Sequence, residues 1–327
     1  MDAMASFDPR PYLKEIARGP HSHRDLSREQ ARELFAAAFA GELGEMALGG
    51  MLVALRMKGE TVEELAGMME ALGPHVCALR LPARRALPLV LPTYNGARKL
   101  PNLVPLLALL LAREGVPVLL HGVEQEAGRV SSFQVLELLG HAPARTIGEA
   151  ERALEDRNLA AMPLALLSPA LARLLDARTR LGVRGSGHTL AKLLLPAGVA
   201  GDAACRLISV THPGFLTLMR EYFALAPGDG LLLRGVEGEP VVRLHAPQPI
   251  EELRAGAPPV ERQIEAVDAD YPLPAREAKA TAQWTRDVLE GAVAAPAALA
   301  AQAALVAEHC RRSAESTRQP LRLVSAK

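Results

Sequence analysis

The amino-acid sequence predicts an α/β protein: a small all-helical domain, residues 1–78, hinged to a larger α/β domain, residues 79–327, with a mostly parallel central sheet. Three observations carry this. Up to Leu72 the runs have helical period and helical punctuation. From Leu87 onward, short Val/Leu-rich runs alternate with helical ones, the pattern of parallel strands with helices on both faces. Between them, Gly73-Pro74 and the basic, proline-bearing Leu81-Pro82-Ala83-Arg84-Arg85 mark a boundary.

Within the first domain, Pro11 to Arg18 reads as a short helix ended by Gly19-Pro20. Ser27 with Gln30 forms a capping box for a helix from Arg28 to Ala40, and Gly41 stops it. A third helix covers Glu45 to Met57; after Lys58-Gly59-Glu60, Thr61 with Glu64 caps a fourth that reaches Leu72. Leu48, Met51, Leu52 and Leu55 recur at helical spacing, either as core or as part of a helix-to-helix dimer contact.

In the second domain the strands are expected at Leu87–Leu91, Val116–Leu120, Ala160–Leu164, Arg206–Val210 and Gly230–Leu233. The stretch from Leu87 to Gly122 reads strand, loop, helix, strand. Such a unit places its loop at the carboxyl end of a parallel strand beside a helix N-terminus, where unpaired N–H groups favour an anion. Around the loop lie Arg84, Arg85, Arg98, Lys99 and Arg113, with no Asp or Glu between Arg84 and Arg113 to hold Mg²⁺. Pro169 to Leu195 is helical and basic; residues from about 170 to 200 are expected to rejoin the helical domain and form the hinge. The Pro-rich, acidic segment from Gln248 to Ala275 reads as irregular surface structure. Helices follow at Ala278–Leu289 and Ala297–Arg312, and the last dozen residues are expected to fray.

The chain has 327 residues, 37 bases balanced by 37 acids, and 49% hydrophobic residues. Zero net charge excludes a protein coated in positive charge, while leaving room for segregated patches. Only six of the bases are Lys, a bias we read as that of a GC-rich genome. Cys77, Cys205 and Cys310 are far apart in sequence and form no metal-ligand spacing, which fits a reducing compartment. His21 and His23 lack a third ligand nearby. The opening residues lack a signal-peptide pattern, and the longest apolar run, Leu103 to Ala112, is about half a membrane span. The expectation is a cytoplasmic protein with no membrane partner.

The order of elements and the run Leu55-Arg56-Met57-Lys58-Gly59-Glu60-Thr61, with Leu48-Gly49-Gly50 before it and Glu64-Leu65-Ala66-Gly67 after it, resemble the N-terminal domain of anthranilate phosphoribosyltransferase. The resemblance extends over nearly the whole chain, to the nucleoside phosphorylase II and glycosyltransferase family 3 fold. It implies a dimer formed through the helical domain. The family's phosphoribosyl-pyrophosphate loop, Gly-Thr-Gly-Gly-Asp, is matched here by Pro92-Thr93-Tyr94-Asn95-Gly96. Asn-Ile-Ser-Thr becomes Asn102-Leu103-Val104-Pro105, and Lys-His-Gly-Asn-Arg becomes Leu120-His121-Gly122-Val123-Glu124. The metal-binding Asp-Glu pair is absent near Gly235-Val236-Glu237-Gly238-Glu239-Pro240, where Glu237 matches the acid just upstream. Thr93, Asn95, Gly96, Asn102, His121 and Gly122 are thus a degenerate phosphoribosyl loop. No catalytic residue and no metal ligand are expected.

Arg178 matches the arginine that contacts anthranilate in the enzymes and Arg184 that of their Gly-x-Arg-Thr motif, with Arg180 replacing an intervening Glu. The loop, the word Arg184 to Lys192 and Ser209-Val210-Thr211-His212-Pro213 resemble the YbiB-like subgroup, which implies a nucleic-acid-binding homodimer without ribosyl transfer. Arg98, Lys99, Arg178, Arg180, Arg184 and Lys192 then become candidates for a positive groove that tracks a phosphate backbone, with His188 assisting and Tyr94 stacking a base. Against this stands the reading of solvated or paired bases and a Tyr that covers core. The expected partner is DNA or RNA bound without sequence preference, and no cofactor. The alternative is a phosphoribosyl or glycosyl transferase acting on an aromatic or nucleobase substrate, the one case in which Mg²⁺ enters.

Overall fold

The computed structural model describes residues 7–19, 21–82, 84–226 and 228–318. Four helices open the chain: α1 (Arg10–Ile16), α2 (Arg28–Ala40), α3 (Glu45–Lys58) and α4 (Val62–Leu72). Both expected capping boxes form, Ser27 with Gln30 and Thr61 with Glu64, so each helix start satisfies its own orphan donors. α2 and α4 cross closely: a Cβ on Gly67 would lie 2.1 Å from the carbonyl oxygen of Arg28. Glycine is therefore required in the Ala66-Gly67 word by packing.

The rest of the chain runs β1 (Leu89–Thr93), α5 (Val104–Arg113), β2 (Val118–Gly122), α6 (Ser132–Leu138), α7 (Ile147–Arg157) and β3 (Leu159–Pro163). It continues through α8 (Leu164–Leu167), α9 (Pro169–Leu181), α10 (Gly187–Leu193), β4 (Cys205–Val210), α11 (Pro213–Leu225) and β5 (Asp229–Arg234). It ends with β6 (Gln248–Arg254), β7 (Val260–Ile264), α12 (Ala278–Leu289) and α13 (Ala297–Arg318). Of the last dozen residues, expected to fray, 316–318 extend α13 beyond its expected end at Arg312, and 319–327 lie outside the described residues.

The seven strands lie in the order β3-β2-β1-β4-β5-β6-β7. The first five pair parallel, and β6 and β7 add to β5 antiparallel. The segment from Gln248 to Ala275, read from its prolines and acids as irregular, instead contributes an edge hairpin. Two of its acids are matched by bases: Glu251 accepts from Arg220 of α11, and Glu252 from Arg312 of α13 and from Arg262 on the paired strand, so charges that argued against strand are neutralised in pairs.

Side chains alternate across the sheet as the pleat requires. Leu89, Leu91, Val118, Leu120, Leu207 and Leu231 face α5, α12 and α13, whereas Val90, Leu119, Met162, Ile208 and Leu232 face the layer that includes α7, α11 and the helical domain. α9 and α10 are separated by a left-handed turn at Gly182, so Pro169 to Leu195 is two helices. α9 and the turn after it pack back on α3: Gly49 approaches Leu181, and Gly185 approaches Leu52. None of the described helices is long and apolar enough to cross a membrane.

Candidate nucleic-acid interface

Strand order reverses between β1 and β4, the switch point where open α/β sheets form a crevice at the carboxyl ends of their strands. Two chambers occupy the region between the sheet and the helical domain. One, of about 560 Å³, touches the ends of β1, β2 and β3 at Tyr94, Gly122 and Pro163. The other, of about 170 Å³, touches the end of β4 at Val210 and reaches Arg56 of α3. His188 lines both.

The chambers differ in charge. The larger is lined by one base, Arg178, against Glu124, Glu126 and Asp176. The smaller is lined by Arg56, Arg184 and Lys192 against Glu60. The expected uniform positive groove is therefore corrected: one chamber is acidic and the other basic. Arg178 is held by Glu126 at 2.7 Å, and Arg180 by both oxygens of Glu45 at 2.6 and 2.7 Å. Arg180 is exposed and lines neither chamber, because α9 turns it toward α3.

Arg184, half-buried, has no hydrogen-bond or ion-pair partner among the described residues. Burial lowers its pKa, and repulsion from Arg178 and Arg129 adds to the effect. Lys192 is pushed down to about 8 by burial, with Arg184 acting in the same direction and Glu239 against it; its ammonium donates to the Ser209 carbonyl. His188 is lowered to about 3 by burial and by Arg184 and Arg178, so near neutrality it offers an uncharged ring. Arg129, which sequence reasoning passed over, belongs to this group and also donates to the Gly96 carbonyl at 3.2 Å. Its only signal in the sequence was a base two residues before a capping Ser.

The residues expected to form a degenerate phosphoribosyl loop are engaged in internal contacts. Tyr94 is 3% exposed and its hydroxyl meets Nδ1 of His121 at 2.6 Å, with the rings edge to face. Its face is covered, which corrects the expectation that it stacks a base. His121 is fully buried and lowered to about 3 by burial. Thr93 pairs with Ser132 at 2.7 Å; Asn102 accepts from Val104 N–H at the start of α5 and donates to the Val130 carbonyl. A Cβ on Gly122 would lie 1.8 Å from the Thr93 carbonyl oxygen, so the retained His-Gly word reflects the close approach of β1 and β2.

The loop also brings a carboxylate to the site that the local sequence lacks. Glu239 accepts from the N–H groups of Asn95 at 2.7 Å and Gly96 at 2.6 Å, and Asn95 Nδ2 donates to the Gly238 carbonyl. Glu237 accepts from the N–H groups of Arg98 at 2.8 Å and Lys99 at 3.0 Å. The N–H groups expected to receive an external anion thus hold two of the protein's own. Burial raises the Glu239 carboxyl above its ordinary range, against the lowering pull of Thr93, these N–H groups and Lys192. The side chains of Arg98 and Lys99 are exposed, line neither chamber and make no ion pair among the described residues.

Away from the cleft, Cys205 and Cys310, distant in sequence, come together with His309 and Asp229 in the core. Ligand atoms of Cys205, Asp229 and His309 lie within 4.8 Å of one another. His309 contacts Asp229 directly, Ser313 donates to the same carboxylate at 2.6 Å, and Arg254 lies 3.6 Å from it. His309 is raised to about 10: burial opposes this but Cys205 and Asp229 outweigh it. A protonated imidazole and a nearby guanidinium already balance the carboxylate, an arrangement that suits an ion pair better than a cation site. A further cavity of about 770 Å³ lies at the opposite ends of β1 and β4, beside Leu87 and Ala203, where Arg80 and Arg84 are paired with Glu151 and Glu155.

Residues 10–73 match the helical bundle domain of a glycosyl transferase family. The uncharacterized protein YbiB of Escherichia coli (strain K12) is 38% identical over 302 residues, covering 91% of this chain and 93% of that one. Anthranilate phosphoribosyltransferase of Thermus thermophilus is 32% identical over 220 residues, 66% of this chain and 64% of the enzyme. A crystal structure of the Thermus thermophilus enzyme has a TM-score of 0.74 at 26% identity, covering 94% of this chain and 90% of that one. The Saccharomyces cerevisiae enzyme in complex with PRPP and Mg shares the fold, with a TM-score of 0.70 at 14% identity. Likeness over nearly the full length of both chains, on a common two-domain fold, makes this chain a YbiB-like member of the anthranilate phosphoribosyltransferase-like, glycosyltransferase family 3 superfamily.

Proposed function

We propose that the protein binds DNA or RNA without sequence preference, as a homodimer, through the basic chamber of its interdomain cleft, and that it does not transfer ribosyl groups. The observation that carries this reading is Arg184: a half-buried guanidinium without a hydrogen-bond or ion-pair partner among the described residues, in a chamber it lines with Lys192, Arg56 and one acid, Glu60, where burial and the repulsion of Arg178 and Arg129 outweigh the pull of Glu126 and Glu239. Mutually repelling bases in a cleft are stabilised by an anion, and a phosphate backbone supplies anions at regular spacing. Arg98 and Lys99 extend the positive surface outside the chamber. Arg178 and Arg180 contribute less, because each must first leave a carboxylate.

Transfer from phosphoribosyl pyrophosphate is disfavoured by the buried carboxylate of Glu239, which occupies the N–H groups of Asn95 and Gly96 within the loop matched to the phosphoribosyl motif and repels a pyrophosphate there. Support for the homodimer comes from α3, where Met46, Val53 and Met57 are 93%, 41% and 82% exposed. With Gly50 they form one stripe at helical spacing, suited to a second copy.

The test is fluorescence anisotropy of a labelled single-stranded oligonucleotide at several salt concentrations. Binding with log K falling linearly against log salt, and a slope that decreases by about one in Arg184→Glu, is the expected result. No binding at about 50 mM salt, together with thermal stabilisation by phosphoribosyl pyrophosphate and Mg²⁺, would replace this reading with the transferase one.

A further inference from the structure

The N–H groups of Arg98 and Lys99 point at one carboxylate, that of Glu237, which takes both at 2.8 and 3.0 Å. Glu237 lies at the tip of the turn from Val236 to Glu239 and has φ +53°, the left-handed region that favours glycine. Glu237 is half-buried and its partners are exposed. The side chains of Arg98 and Lys99 have no partner among the described residues, and Arg276 donates to the Arg98 carbonyl at 2.6 Å, which brings a third base to the same turn. Glu239 differs: it is 3% exposed, and its two N–H partners, Asn95 and Gly96, are buried with it.

We propose that this turn is a phosphate-binding site closed in the resting protein by Glu237, and that a phosphate group opens it by displacing that carboxylate. The exchange substitutes one anion for another on the same two N–H donors, so no buried donor is orphaned. A phosphate brings more charge and more acceptor oxygens to Arg98 and Lys99 than Glu237 does. Glu237 thus acts as an internal competitor that lowers the affinity of the site, while Glu239 stays in place and keeps the loop folded. The ligand class is a phosphate group, either free phosphate or the phosphodiester of a nucleic acid. Only its assignment to nucleic acid rests on the function proposed above.

The experiment uses the full-length protein and the variants Glu237→Gln and Glu237→Gly, with Glu124→Gln as a control for the same change in charge elsewhere in the cleft. Glycine suits the left-handed backbone, so Glu237→Gly keeps the turn folded even if Glu237→Gln does not. Inorganic phosphate is titrated by calorimetry and a single-stranded oligonucleotide by anisotropy. Both Glu237 variants are expected to bind phosphate roughly tenfold more tightly than the parent, with a much smaller gain in Glu124→Gln. A phosphate gain without an oligonucleotide gain assigns the site to free phosphate; gains with both assign it to nucleic acid. Oligonucleotide binding with no phosphate or oligonucleotide gain in the Glu237 variants overturns the site and leaves the function standing. Absence of binding of either ligand by every variant overturns both.

Discussion

The turn from Lys58 to Glu64 and the loop from Tyr94 to Lys99 solve the same problem with opposite results. In each, glutamate carboxylates collect backbone N–H groups. Glu64 accepts from Leu26 at 2.8 Å and Thr61 at 2.9 Å, and the Lys58 ammonium meets it at 2.7 Å. Burial alone would lower the pKa of Lys58, but Asp25 and Glu64 outweigh it and raise it. In the loop, Glu239 takes two N–H groups with no cation in contact, and one of its oxygens, buried, has no hydrogen-bond partner. The turn is closed in both hydrogen bonding and charge, whereas the loop satisfies its N–H groups but leaves a carboxylate oxygen without a hydrogen bond. The difference teaches that the intact Lys-Gly-Glu-Thr word marks a structural lock. The loop that aligns with the phosphoribosyl-pyrophosphate motif instead holds a buried carboxylate that makes no ion pair among the described residues.

The sharpest way to break the comparison is Lys58→Met. Leaving the Glu64 carboxylate buried and unpaired is expected to cost about 3–5 kcal/mol in urea unfolding. The affinity of the folded fraction for oligonucleotide should be unchanged, and a loss below about 1 kcal/mol would mean that the turn is no lock. Next in size is Glu239→Ala, which orphans the N–H groups of Asn95 and Gly96; about 1–3 kcal/mol should be lost by the same measurement.

The histidines sharpen the contrast between cleft and core through pH. His121 and His188 have folded pKa values of about 3, below the ordinary 6.5. Their contribution is therefore full above pH 6.5 and lost as pH falls toward 3. His309, raised to about 10, has the opposite sign: its contribution is full below 6.5 and lost as pH rises through 10. Urea unfolding across pH should show the acid limb flattened in His121→Gln and the alkaline limb flattened in His309→Gln. Identical curves for parent and variant would refute the assignment. The smallest effect expected is that of Arg180→Glu, whose guanidinium is already held by Glu45. Its salt slope for oligonucleotide should stay within about half a unit of the parent's, against about one unit for Arg184→Glu.

Much of this could be read from the chain alone. The caps at Ser27 and Thr61, the helices α2 and α12, and the five parallel strands depend on residues a few positions apart, and period and capping are local properties. The edge hairpin β6–β7 was missed because two of its acids, Glu251 and Glu252, find Arg220 and Arg312 only across the fold. Tyr94 looked available for stacking because nothing in Pro92-Thr93-Tyr94-Asn95 shows that His121 will cover it. The bases of α9 looked like one groove because Glu45 and Glu126 come from other elements.

By itself the sequence determined the α/β architecture with a small helical domain ahead of a mostly parallel sheet, and the set of bases from which the proposed binding surface is drawn. Tertiary structure alone decided which of those bases remain unpaired, that Cys205 and Cys310 meet, and that the loop is filled from within. The reason is distance along the chain: Asn95 and Glu239 are 144 residues apart, and charge pairing is settled by whatever the fold brings within a few ångströms.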